Sequence, residues 1–264
     1  MADEPIRPKA NSYKNMYTVG MTHTFSIKEA IVFGWHKLKS HSGLVFQVVL
    51  TLFALQVVSS VVQMSLEGTA IGTAASIVLA VLGVILGAGM TLVFLKLARG
   101  EAAHYRQIVP ELGLVWKYFC TSLLTGIITF LPLIAAGLID LVLLSTTKSI
   151  DFSRGVPAEG SGAMLALAAA IGLVGLVGAL YLGLRYSMAR LAVLDGVDIV
   201  ESLRTSKKLT DGVKWHLVLF ALAIAGLNLL GFLALVVGLL VTMPISLLAF
   251  VHVYLKLKSH HAHH

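Results

Sequence analysis

Few side chains within the long apolar runs of this sequence could do chemistry. Asp140 and Asn228 stand out among them. An acid within a membrane-length apolar stretch is a candidate proton or cation ligand. Asp140 lies about one turn from the outer end of its stretch. There its carboxylate can reach water or lipid headgroups, and that placement is favoured. Asn228 could touch a substrate, but an interhelical hydrogen bond is the favoured role. Arg185 and Arg190 close another apolar stretch, and Lys207 and Lys208 follow shortly after. These four are candidate contacts for lipid headgroups. For Arg185 and Arg190, snorkelling to the interface would serve without any specific ligand.

The remaining candidates are weaker. His252 and Lys256 share a helical face, which suits a structural or interfacial histidine. His260, His261, His263 and His264 could bind a metal loosely, but imidazoles on a flexible tail are not a preorganised site. We read 259–264 as an incidental His-rich tail. A single cysteine, Cys120, excludes an intrachain disulfide and any site built from several thiolates. No phosphate-cradling glycine loop, zincin helix or serine nucleophile elbow occurs. The expectation is a protein that is not an enzyme, without cofactor or metal, and with no nucleic acid partner.

The elements that carry these residues follow from hydropathy. Hydrophobic residues make up 57% of the chain and charged residues 12%, about half the usual charged share of a soluble domain. Apolar runs of roughly 20 residues match the hydrocarbon thickness of a bilayer. Such runs cover about 44–64, 70–97, 116–144 and 163–186. The stretch 215–257 would be about 65 Å long as one helix, twice a bilayer. Two spans with a turn near Gly238 fit better. Pro132 predicts a kink in the third span, and Pro244 marks or kinks the start of the sixth. Gly83 and Gly87 in the second span form a pair that would let another helix approach. Gly172, Gly175, Gly178 and Gly183 make the fourth span narrow, as suits a tightly packed helix. Residues 1–24 lack an apolar core for a signal peptide and read as a disordered tail. The membrane domain covers 25–258.

Charge tests the count of spans. The net formal charge is +7. Of the 20 lysines and arginines, only Lys148 and Arg154 fall in loops opposite the termini in a six-span chain. The positive-inside rule then places both termini in the cytoplasm of a prokaryotic cell, with the chain in its plasma (inner) membrane. A five-span chain would put Lys256 and Lys258 on the wrong side. The lipid bilayer is the expected partner, with anionic headgroups at the basic face.

A repeat underlies the order of spans. Ser26, Ile27, Glu29 and Ile31 recur as Asp198, Ile199, Glu201 and Leu203, at one constant offset. Each set resembles a capping box at a helix start. Ile27, Ala30, Ile31, Trp35 and Leu38 would form the apolar face of an interfacial helix, and Ile199, Val200, Leu203 and Leu209 a similar one. Trp35, Trp116 and Trp215 each precede an odd-numbered span, where an indole ring favours the membrane interface. The expected fold is an all-α polytopic membrane helix bundle of six transmembrane helices with cytoplasmic interfacial amphipathic helices. A three-hairpin repeat is a hypothesis within it.

Residues 189–196 and 201–212 resemble the EAL-x-x-SW-x-LT-x-G segment of an uncharacterised prokaryotic integral-membrane family. Glu201, Leu203, Ser206, Leu209, Thr210 and Gly212 carry the likeness, while Lys207 stands where the family often has tryptophan. Glu29, Ala30, Ile31, Gly34 and Trp35 resemble the family's N-terminal segment. That family is similar to the membrane domain attached to some glycerophosphodiester phosphodiesterases. The resemblance implies a six-helix membrane fold and no particular activity. A non-enzymatic scaffold or accessory protein in membrane or envelope organisation is the leading expectation. A transporter or channel for a small solute or a lipid is the alternative.

Overall fold

A computed structural model describes residues 25–146, 150–151, 156–157, 162–234 and 238–261. The tail 1–24, the loop cations Lys148 and Arg154, much of the turn before Gly238, and His263 and His264 lie outside the described residues. The fold is all-α, with six helices long and apolar enough to cross a membrane. After α1 (Ile27–Ser40) come the hairpin α2 (Ser42–Ser65) and α3 (Ala70–Arg99), then the hairpin α4 (Leu112–Thr146) and α5 (Gly162–Arg185). Two short helices, α6 (Ala189–Leu194) and α7 (Ile199–Thr210), lead to the hairpin α8 (Lys214–Leu233) and α9 (Leu239–His261). Between α4 and α5, Ile150–Asp151 pairs antiparallel with Val156–Pro157. Helix α4 runs unbroken past Pro132, and Pro244 sits inside α9 rather than at its start.

Burial is uneven along the spans. At about 1.5 Å per residue, α4 is about 52 Å long and α3 about 45 Å, both longer than the hydrocarbon layer. The buried residues of α3 concentrate between Ala88 and Leu97, and those of α9 between Pro244 and Leu257. They meet at the end of the bundle that carries α1, α6, α7 and most of the lysines and arginines, here termed the basic end. One cluster there joins Phe25, Leu95, Leu191, Leu217, Tyr254 and Leu257. A second joins Leu38, Val45, Val48, Phe94, Ile108 and Leu248. Towards the other end the hairpins expose Val61, Ile71, Leu141, Val174 and Leu229. Hydrocarbon tails solvate such side chains as well as a protein core does, so nothing drives the hairpins together there.

Within the second hairpin the helices lie close. Gly172, Gly175, Gly178 and Gly183 face Asp140, Ala136, Pro132 and Thr129 across the contact. A Cβ on Gly175 would stand 2.5 Å from the Ala136 Cβ and 3.0 Å from the Pro132 carbonyl oxygen, so only glycine allows this approach. The glycines of the fourth span are therefore a packing face, although α5 buries that one face only. The Gly83–Gly87 pair needs a correction. A Cβ on Gly87 would meet nothing within 4 Å, and one on Gly83 only Leu55. The close approach on α3 is at Gly89, where a Cβ would fall onto the Ile108 carbonyl. That carbonyl ends a 3-10 turn, Tyr105–Ile108, that folds back along α3. Tyr105 Oη and Thr51 Oγ1 share a 2.9 Å hydrogen bond that fixes the turn to α2.

Helices α1 and α7 form where the sequence places them, but their buried faces differ from the expected ones. On α1, Ala30, Gly34 and Leu38 are buried. Gly34 lies against Ile245 and Ala249, while Glu29 meets Lys256, so α1 runs antiparallel to α9. Val32 and Trp35 stay exposed. On α7 the buried face is Ser202, Ser206, Leu209 and Thr210, while Val200 is exposed. The reason is the end of α5, which leaves backbone groups without helical partners. Ser206 Oγ donates to the Arg185 carbonyl at 2.9 Å and accepts from the Met188 N–H at 3.1 Å. Thr210 Oγ1 donates to the same carbonyl at 3.3 Å. A hydroxyl stripe thus latches α7 to the end of α5.

The two capping boxes are also incomplete. Ser26 Oγ accepts from the Glu29 N–H at 3.4 Å, but the Glu29 carboxylate is drawn to Lys256. Asp198 caps no N–H of α7 with its side chain, because Lys117 holds it at 2.8 Å. An opposite charge supplies a stronger partner than a backbone N–H in each case. The order of short helix and hairpin nevertheless recurs three times, with α1, the 3-10 turn and α7 as the leading elements.

Candidate functional site

The basic end is held by two ion clusters. Asp195, in the turn after α6, accepts from Arg99 of α3 and from Lys258 and Tyr254 of α9. The Tyr254 hydroxyl donates at 2.8 Å, and the Asp195 side chain is 6% exposed. One carboxylate therefore joins the first and third hairpins through the connection that follows the second. Burial pushes the Asp195 carboxyl up, but hydrogen bonds from Arg99, Lys258 and Tyr254 outweigh it and hold the group below its ordinary value. The second cluster is Glu29, with Lys256 Nζ at 2.7 Å and His252 Nε2 at 3.7 Å. Phe33 stacks on the His252 ring at 4.2 Å between centroids. Both clusters use their charges internally and have a positioning role. Near them Lys117 holds the exposed Asp198 carboxyl below its ordinary value.

A different arrangement lies between α5 and α8. An apolar groove of about 530 Å³ is lined by Val177, Leu180, Leu184, Val218, Leu222 and Ala225. Its mouth at the basic end holds Tyr181, Arg185, Thr210, Lys214 and Trp215. Arg185 Nη1 donates to the Tyr181 hydroxyl oxygen at 2.7 Å, and Lys214 Nζ donates to the same oxygen at 3.3 Å. Both cations also lie over the Tyr181 ring, 5.8 Å and 5.4 Å from its centroid. Asp211 stands 3.8 Å from Arg185 and 3.4 Å from Lys214. The Arg185 Nε has no partner. Trp215 is 80% exposed beside the mouth. Two cations thus share one acid at the end of an apolar slot.

The residues singled out from sequence fall in different places. Arg185 joins the groove. Arg190, Lys207 and Lys208 are exposed and form no ion pair among the described residues. Asp140 lies beside Gly172 of α5, and its Oδ1 is shielded without a partner. Asn228 Oδ1 accepts a hydrogen bond from Ser246 of α9 at 3.3 Å. It borders a cavity of about 430 Å³ whose other polar side chains are Ser187 and Ser246. His260 and His261 form the last turn of α9.

Sequence reasoning missed Asp195, Tyr181, Lys214 and the hydroxyl stripe. The Ser202, Ser206, Thr210 spacing was a visible signal for the stripe. So was the aromatic–cation spacing of Tyr181 and Arg185 at i, i+4 for the mouth of the groove. No curated protein and no solved structure matches the chain. A family model described as "Protein of unknown function (DUF975)" matches residues 32–261. That match takes in every helix and every ion cluster described above except the first five residues of α1 with Glu29, and the chain belongs to the DUF975 family.

Proposed function

We propose that this protein is a non-enzymatic scaffold or accessory protein in membrane or envelope organisation, acting through its basic end. The observation that carries the reading is where packing is spent. Ion clusters and both buried cores hold the basic end, whereas the groove between α5 and α8 and a second groove beside Phe53, Phe94 and Leu247 are lined along the spans mainly by apolar side chains. A solute pathway would call for charged or polar groups converging near the middle of the spans. We place the chain in the plasma (inner) membrane of a prokaryotic cell, with the basic end and both termini in the cytoplasm facing anionic lipid.

Orientation is checked by labelling. A cysteine at Ser259, in a Cys120→Ser background, is expected to react with an impermeant maleimide only after the cells are opened. Labelling of intact cells would reverse the assignment. Function is checked by reconstitution. Liposomes holding the purified chain are expected to retain ions and small solutes as well as protein-free liposomes do. The transporter reading draws on the Asn228 cavity. Solute flux in those liposomes that Asn228→Leu abolishes would replace the scaffold with a transporter.

A further inference from the structure

We propose that the groove between α5 and α8 binds one anionic phospholipid, with an acyl chain along the apolar slot and the phosphate at Arg185, Lys214 and Tyr181. This rests on the reading of the basic end as a lipid-facing surface and names one lipid class and one seat within it. The donor inventory of the mouth carries the proposal. Arg185 and Lys214 can only donate hydrogen bonds. The Tyr181 oxygen already accepts from both, so its own O–H remains free to donate outward. Arg185 Nε–H is buried without a protein acceptor, so the donors that face outward are the Arg185 terminal nitrogens, Lys214 Nζ and the Tyr181 hydroxyl. Asp211 is the one carboxylate present, and it stands to the side of both cations at ion-pair distance. The mouth is therefore rich in donors and carries a net positive charge. A phosphodiester anion supplies the acceptors that are lacking, and charge-assisted hydrogen bonds to it are the strong kind.

The groove supplies the other half of the match. Below the cations it is lined by aliphatic side chains from Val177 to Leu184 on one wall and from Val218 to Ala225 on the other. Its volume of about 530 Å³ lies in the ordinary range for ligand sites. Charge stands at one end and hydrocarbon along the rest, which is the plan of a phospholipid and not of a free phosphate. Trp215 beside the mouth marks headgroup depth, where indole rings settle. The exposed Arg190, Lys207 and Lys208 line none of the grooves described above. They attract anionic lipid without ordering it.

Native mass spectrometry of the detergent-purified chain tests the seat. Phosphatidylglycerol is titrated against phosphatidylcholine of the same acyl length. One phosphatidylglycerol adduct per chain is expected to persist at activation energies that strip phosphatidylcholine. Arg185→Gln with Lys214→Gln is expected to lower the affinity by about thirtyfold, given roughly a kcal/mol for each cation near anionic lipid. Lys37→Gln with Lys39→Gln removes the same charge from α1 and is expected to leave occupancy unchanged. Ala225→Phe fills the slot, keeps both cations, and is expected to lose the adduct as well. This covers the case in which the arginine and lysine variant fails to fold. Equal retention of the two lipids, or equal loss in the α1 variant, overturns the proposal in favour of diffuse charge attraction. Retention in Ala225→Phe overturns the seat in this groove. Solute flux in liposomes bears on the scaffold reading alone and leaves these outcomes unaffected.

Discussion

Asp195→Ala is expected to destabilise the folded chain by about 3 kcal/mol, the low end for breaking a buried ion pair. Three donors lose their acceptor at once: Arg99, Lys258 and the Tyr254 hydroxyl. Arg99 keeps Glu101 at 3.7 Å, and Lys258 is exposed enough to turn to water, which limits the loss. Tyr254 has no such escape, because it is wholly buried. Thermal unfolding in detergent, followed by loss of the monodisperse peak, measures the effect. Asp195→Asn keeps an acceptor for Tyr254 and should fall between the two. An unchanged midpoint for Asp195→Ala would remove the network from any role in holding the hairpins together.

The same group predicts a pH dependence. The Asp195 carboxyl is held below its ordinary value in the folded chain. Its stabilising contribution is therefore complete above the unfolded carboxylate value of about 3.9 and is lost as pH falls through the lower folded value. The gap in midpoint between the native chain and Asp195→Asn should stay constant from neutral pH down to about 4. It should close only in stronger acid. A gap that opened on acidification would contradict the sign of the shift.

Gly89→Ala is expected to release the segment 104–109 from α3, at a cost of about 2–3 kcal/mol, the upper part of the usual range for overpacking. The added Cβ would fall onto the backbone of Ile108, and backbone cannot rotate away as a side chain tip can. The segment must lift as a unit. With it go the burial of Ile108 and the hydrogen bond between Tyr105 and Thr51. Limited trypsin digestion reads this directly, because Arg106 lies in the turn. Cleavage there should quicken in Gly89→Ala. Gly87→Ala, which faces open space, should be cut at the native rate. Equal rates in all three proteins would mean that the close approach is not needed.

These two residues show which parts of the fold a sequence discloses. The spans are legible because hydrocarbon thickness fixes their length and excludes charge, and all six helices bracket the apolar runs read from sequence. Even the division of the last apolar run into α8 and α9, where hydropathy is continuous, follows from its length and from Lys256 and Lys258 needing the basic side. Lateral contacts are a different matter. Asp195 reads as a loop acid, since its partners lie 96, 63 and 59 residues away in sequence. Small residues at helical spacing say that a neighbour could come close, not that one does. The α5 glycines meet α4, while Gly83 and Gly87 obey the same pattern and meet almost nothing. Gly89 escaped notice because its neighbour is a loop carbonyl and not a helix. The groove was half legible. Arg185 marks the end of a span, but Lys214 joins it only after the chain has turned through α6 and α7 and come back.

The contact of α1 with α9 has a meaning in time. Glu29 and Lys256 are 227 residues apart. At a synthesis rate of about 5–20 residues per second, that interval is on the order of ten to forty-five seconds. For that period Gly34 of α1 lacks the Ile245 and Ala249 backbone that will cover it, and whatever shields it must be given up again when α9 arrives. Helix α1 is thus made long before it finds its place, and the arrival of α9 is what closes the basic end.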